Sequence, residues 1–366
     1  MKPKLLSIYL PQFHRIPEND LWWGDGFTEW TNVKRGKPYY IGHYQPREPL
    51  HDDYYDLSNL KVLERHTRIA QKAGISGFCF YHYYFKGKKL LEKPIEQYRD
   101  YSKERFPYCL IWANQSWART WYRTKGNQTL LQQTYGEEID WRNQFEYLLT
   151  FFKDDRYIKV DNKPVYIIYL PQDIACRRRM FAFWNKLAVQ NGFAGIYLIA
   201  MNTSYGKDER EALYSAYMNF EPLESIHSDQ GIRKWLYRWK QRNSDKIKKK
   251  SCFGNRIYME NAYSYAYLCK KIERIDISAG KKTYAGIFPG WDNTSRKDEA
   301  GYIITGSTPK RFALCAERIL RKSAAANNEF VFINAWNEWS EGAYLEPDKK
   351  YGYAYLNALR RALRQY

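Results

Sequence analysis

Eight short runs of apolar, β-branched and aromatic residues recur along the chain: Leu5–Leu10, Ile75–Phe80, Tyr108–Trp112, Val165–Tyr169, Ile196–Ala200, Ser215–Phe220, Thr283–Phe288 and Phe330–Ile333. Runs that stay apolar instead of alternating suit strands covered on both faces, as in parallel sheets, whose crossovers are helices. Over Asp56–Ala73, Leu57, Leu60, Leu63 and Ile69 recur at helical spacing, and Gly74 supplies a C-terminal stop. Ser307-Thr308-Pro309 opens another helix with proline in its first turn, and its predicted buried side is Phe312, Leu314, Cys315, Ile319 and Leu320. Eight such strand–helix units predict an α/β protein of the (β/α)8 TIM-barrel type. A doubly wound sheet would need a glycine-rich phosphate turn after an early strand, whereas Gly24-Asp25-Gly26 lies in a tryptophan-rich loop.

Two segments exceed what a barrel needs. Residues 11 to 55 form a long first βα loop rich in Pro, Trp, Tyr and Gly, which is predicted to roof the site. Residues 224 to 258 form a basic insertion after the sixth strand. Nine Lys or Arg fall between Arg233 and Lys250, interleaved with Trp235, Tyr237 and Trp239. With no repeat period and no linker, the reading is one domain over residues 1–366.

Composition changes this picture in three ways. The 59 Lys and Arg against 40 Asp and Glu leave a net charge of +19. No apolar run approaches the roughly 18 residues of a spanning helix, and the first residues lack a leader's cleavage pattern. A cytoplasmic protein is therefore expected, with the 233–250 segment as a peripheral contact to an anionic inner membrane face. A solvated basic face is the plainer reading, and nucleic acid is not the expected partner. Six scattered cysteines and six histidines show no metal-ligand spacing, so neither a metal nor another cofactor is expected. Aromatic residues reach 18%, which suits either sugar-stacking platforms or a tyrosine-rich core.

In a barrel, chemistry gathers beyond the C-terminal ends of the strands. His14 follows the first strand, with Glu29 and Trp30 further along the loop. Tyr81 and His82 end the second, Asn114 and Trp117 follow the third, and Trp291 and Asp292 follow the seventh. The eighth runs into Trp336-Asn337-Glu338-Trp339-Ser340-Glu341. Two carboxylates three residues apart in a partly dry pocket cannot both ionise easily, so one holds a proton, which yields an acid and a base. Cleavage of a glycosidic bond needs such a pair. Trp336 and Trp339 are candidate stacking surfaces for the sugar, and Asn337 a donor to one of its hydroxyls. His14 and His82 read equally well as buried structural histidines, and Trp30 as a loop anchor.

The stretch Trp336-Asn337-Glu338-Trp339-Ser340-Glu341-Gly342, with Leu345-Glu346-Pro347, resembles the catalytic signature of the endo-α-mannosidases of glycoside hydrolase family 99. Ile8-Tyr9-Leu10-Pro11-Gln12-Phe13-His14, Trp22-Trp23-Gly24 and Gly26-Phe27-Thr28-Glu29-Trp30-Thr31-Asn32-Val33 are similar to the WbsX-like branch of bacterial surface-polysaccharide biosynthesis. The resemblance implies a TIM barrel and retaining chemistry through a 1,2-anhydro sugar. It matches Glu338 to the base that deprotonates the sugar's 2-hydroxyl and Glu341 to the general acid/base. The implied substrate is an oligo- or polysaccharide, free or lipid-linked. Two alternatives stand beside a glycosidase or transglycosidase: a glycosyltransferase, and a non-catalytic carbohydrate-binding barrel that keeps the cleft but not the need for its carboxylates.

Overall fold

The computed structural model describes residues 2–118, 128–203, 212–228, 261–278 and 280–365. The basic stretch 233–250 lies outside them, so the expected membrane contact has no structural counterpart here.

All eight predicted runs contribute barrel strands: β1 Lys4–Tyr9, β2 Gly77–Phe85, β3 Tyr108–Trp112, β4 Lys163–Ile168, β5 Tyr197–Asn202, β6 Ala216–Asn219, β7 in two pieces, and β8 Phe330–Ile333. Neighbours pair in parallel in the order β6-β5-β4-β3-β2-β1-β8. The pieces of β7 bring the sheet round on itself. Thr283–Tyr284 bonds to β6 and Gly286–Ile287 to β8, with Ala285 between, giving a nearly closed barrel. Gly286 lies close against the end of β6: a Cβ there would fall 2.2 Å from the Asn219 carbonyl oxygen, so a side chain is sterically excluded.

The helix predicted from Asp56 begins later, at Leu60, because Asn59 caps it by accepting from the Lys61 N–H. Leu57 precedes the helix, and its N–H donates to the Phe13 carbonyl at 2.9 Å. The predicted stop holds, with Gly74 left-handed at φ 89°. Helix Pro309–Ala325 starts at a Thr308 cap as expected. One predicted core residue is corrected. Leu314 is 43% exposed, whereas Phe312, Cys315, Ala316, Ile319 and Leu320 share the buried stripe. Those five positions follow the helical three-and-four repeat, which passes over 314.

The long first loop folds back over the C-terminal mouth. Within it Glu29–Lys34 forms a short helix, packed by Trp30 against Phe13, Tyr55 and Trp339. Further along, His43 Nε2 and Gln45 Nε2 each lie 2.8 Å from Asp292 Oδ2, and Arg47 Nη2 lies 3.4 Å away. Among the described residues no helix is long and apolar enough to cross a membrane.

Candidate active site

A cleft of about 350 Å³ opens at the C-terminal ends of the strands. Its floor carries Glu338 and Glu341, and its walls include Gln12, Tyr81, Tyr83, Trp117, Tyr169 and Trp291.

The motif after β8 is shaped by a tight hairpin. Asn337–Glu338 pairs antiparallel with Ala343–Tyr344, and Gly342 closes the turn at φ 60°. Alternation across this short ladder sends Glu338 into the cleft and its neighbours behind it. Asn337 is fully buried: its Oδ1 accepts from the Leu10 N–H at 2.7 Å, and its Nδ2 donates to the Leu10 carbonyl at 2.9 Å. Trp336 packs on His66 and Phe78. Trp339 stacks on Tyr344 with ring centres 3.8 Å apart and donates to Glu346. Both indoles therefore wedge the hairpin from behind and do not line the cleft.

The two carboxylates are bridged by Arg296, on the short helix Thr294–Lys297 after β7. Its Nη1 donates to Glu341 Oε1 at 2.7 Å, and its Nη2 lies 3.6 Å from Glu338 Oε2. Nε and Nη2 donate to Glu29 Oε1 at 2.9 and 2.6 Å, and the Ser340 hydroxyl donates to the same oxygen. Glu338 Oε2 has no hydrogen-bond partner among the described residues. Burial and the charge of Glu341 push the Glu338 carboxyl well above the usual range.

Strand alternation sorts the candidates on β2. Tyr81 and Tyr83 face the cleft, whereas His82 points outward, 2.8 Å from the Tyr166 hydroxyl, and burial pulls its pKa down to about 3. Trp117 and Trp291 line the cleft, and Trp117 meets Tyr83 edge-on at 5.2 Å. The other candidates lie outside it. Asn114 clamps β3 to β4 through both backbone groups of Leu170, at 2.8 Å each. His14 turns back onto the Pro11 carbonyl at 2.9 Å, and burial lowers its pKa. Trp30 donates to the Tyr55 carbonyl at 2.8 Å. Glu29 is fully buried against Arg296, and Asp292 anchors the roof loop. Although burial raises the Asp292 pKa, its bond to His43 and the charge of Arg47 bring it down to about 2.

Sequence reasoning missed Tyr83 and Arg296. Tyr83 was readable, since it stands two residues from Tyr81 on the same strand face. Arg296 carries no local signal, because its carboxylate partners come from the opposite ends of the chain. Among the described residues no group of His, Cys, Asp and Glu is arranged to hold a metal ion.

A family model described as "Glycosyltransferase WbsX" matches residues 5–359. A protein called WxcX from Xanthomonas campestris pv. campestris, described as uncharacterized, is 35% identical over 362 residues, covering 98% of this chain. The chain spans about half, 49%, of that relative's length. Among solved structures, the family 99 endo-α-mannosidase from Bacteroides thetaiotaomicron matches with a TM-score of 0.55 at 13% identity, over 98% of this chain and 95% of that one. A glycoside hydrolase-like protein matches with a TM-score of 0.60 at 14% identity, over 99% and 94%. At such identities the likeness shows a shared fold.

Proposed function

The chain belongs to the WbsX glycosyltransferase family, and from that membership and the chemistry of the cleft we propose that it acts on glycosidic bonds of a bacterial surface polysaccharide or its precursor. The observation that carries this reading is the pair Glu338 and Glu341, set at the mouth of the barrel among Tyr81, Tyr83, Trp117 and Trp291 and bridged by a single guanidinium.

The reaction follows from two carboxyl groups holding one proton between them. The Glu338 carboxylate takes the proton of the sugar's 2-hydroxyl as that oxygen attacks the anomeric carbon. Glu341 gives its proton to the departing oxygen, leaving a 1,2-anhydro sugar, protonated Glu338 and ionised Glu341. Glu341 then removes a proton from the incoming nucleophile, which opens the anhydro ring at the anomeric carbon, and Glu338 returns its proton to the 2-oxygen. Water as nucleophile gives hydrolysis. A hydroxyl of a second saccharide gives transfer, the outcome that the family description favours, and the same residues serve both.

Incubation with the polysaccharide made by the protein's own genomic neighbourhood, with and without activated sugar donors, tests the reading. Fragments without donor mean hydrolysis, and extended products mean transfer. Glu338→Gln and Glu341→Gln are each expected to lower turnover by at least about 100-fold. Binding without turnover, or full activity in both variants, refutes the catalytic reading. A lipid-linked substrate would give the 233–250 cations a role at an anionic membrane face. Unchanged sedimentation with anionic vesicles after neutralising those cations rejects that role.

A further inference from the structure

We infer that a second cavity, on the far side of Trp291 from the cleft, is a saccharide subsite that holds an uncharged sugar unit of the polymer beside the catalytic centre. The inference rests on the polysaccharide reading above and adds to it a point of attachment that takes no part in the chemistry.

The cavity measures about 290 Å³, near the lower end of the roughly 300–1,000 Å³ typical of small-molecule sites. Segments far apart in the sequence enclose it: residues 40–47 of the roof loop, residues 289–292 and 303–307 after β7, and the end of the catalytic hairpin with the turn that follows. Trp291 is 3% exposed and lines both this cavity and the cleft, so one indole partitions them. The hairpin is shared in the same way: Glu341 lines the cleft, and the next residue, Gly342, lines the second cavity.

The lining selects the ligand. Six Tyr and Trp side chains supply ring surface, and the C–H faces of a sugar pack on such rings. Cations and carboxylates are balanced at two each, Arg47 and Lys350 against Asp292 and Asp348. An anion would meet the carboxylates and a cation the guanidinium, so neither is favoured. Hydroxyls donate and accept at once, and they match both signs. The carboxylates are fixed in place: Asp348 accepts from the Tyr344 hydroxyl at 2.7 Å, and Asp292 Oδ2 lies 2.8 Å from His43 Nε2. The cations share one ring, with Arg47 Cζ 4.8 Å and Lys350 Nζ 5.0 Å from the centre of Tyr44.

Two buried donors complete the case. Trp291 Nε1 and Arg47 Nε have no hydrogen-bond partner among the described residues. An unpaired buried N–H carries a desolvation cost, which a sugar hydroxyl accepting from it relieves. Polymer held here is kept at high local concentration beside the carboxylate pair, without any new contact in the cleft itself.

Each cavity carries its own reporter. Ile303 and Ile304 line the second cavity, and Leu10 and Leu223 line the cleft. Methyl-labelled protein is titrated with oligosaccharides released by mild acid from the polysaccharide of its own genomic neighbourhood, and NMR follows both pairs of signals. The Ile303 and Ile304 methyls are expected to shift along a saturation curve distinct from that of the leucines. Lys350→Ala, at an exposed position, should weaken the isoleucine curve at least about 3-fold. Thr305→Trp, which adds an indole from the exposed end of strand Ile303–Thr305, should abolish it while the leucine signals still shift. If Thr305→Trp does not fold, Lys350→Ala decides. Isoleucine signals that stay still up to about 20 mM oligosaccharide, or a curve unchanged in every variant that folds, overturn the inference. So does sodium phosphate or methylammonium moving those signals at lower concentration than the sugars, which would assign the cavity to an ion. Leucine shifts without isoleucine shifts count against the subsite alone, whereas stillness in both pairs counts against the polysaccharide reading as well. Full turnover in the Gln variants of Glu338 and Glu341 would refute the catalytic pair and leave this subsite standing.

Discussion

Removing the Asn337 side chain should cost the fold more than it costs substrate binding. Its amide is fully buried and closes both backbone groups of Leu10, just beyond β1, at 2.7 and 2.9 Å, with the Tyr55 hydroxyl a further 3.4 Å neighbour. In Asn337→Ala the Leu10 N–H and carbonyl lose these partners where water is excluded. At about 1–3 kcal/mol for each of the two unpaired buried groups, the expected loss is about 2–6 kcal/mol. Urea unfolding followed by tryptophan fluorescence reads this as a lower midpoint with an unchanged slope. Asn337→Asp sharpens the test. An ionised carboxylate still accepts from the Leu10 N–H but repels the Leu10 carbonyl, whereas the protonated acid can donate to it as the amide does. Its deficit should therefore be large at neutral pH and shrink as the acid becomes protonated. An Asn337→Ala protein within about 0.5 kcal/mol of wild type, or an Asp variant whose deficit ignores pH, would refute the clamp and return Asn337 to the role of a sugar contact.

Three further outcomes follow from buried groups. His82 has its pKa lowered to about 3 by burial, so between that value and the unfolded 6.5 the unfolded chain binds the extra proton. Its contribution to stability is present above the unfolded value and lost as pH falls, about 2 kcal/mol between pH 7 and 5; a His82→Gln protein with the same acid sensitivity as wild type would contradict this. Asp292→Asn removes the charge that His43, Gln45 and Arg47 converge on and should cost about 2–4 kcal/mol. Limited proteolysis should then cut between residues 36 and 47 faster, and an unchanged cleavage rate would exclude the anchoring role. The stability that ionised Asp292 contributes is present above about pH 4 and lost as pH falls toward its folded pKa of about 2. Gly286→Ala forces a methyl to 2.2 Å from the Asn219 carbonyl, so soluble yield or melting temperature should drop sharply, and a variant as stable as wild type would show that the β6–β7 contact is looser than described.

The barrel was legible because its signal is local. Each of the eight runs is apolar throughout, since both faces of a barrel strand are covered, and the Gly74 stop and Thr308 cap mark helix ends through short-range geometry. The carboxylate motif was equally legible, being seven consecutive residues after the last strand. Errors arose where direction mattered more than position. Leu314 was counted into a buried stripe that it misses by a rotation about the helix axis, and a one-residue step along β2 separates inward Tyr81 from outward His82.

What the sequence by itself determined is therefore the list of elements, their order, the family, and the place along the chain where two acids meet tryptophans. Only the tertiary structure decided which neighbours of those acids reach the cleft and which brace them from behind, because a hairpin's alternation and a loop's return path set the direction of each side chain. It also decided that Arg296 and Glu29, from the seventh and first loops, frame the pair. A buried ion pair between distant segments leaves no local pattern: each partner looks like any surface charge until the closing of the barrel takes both out of water.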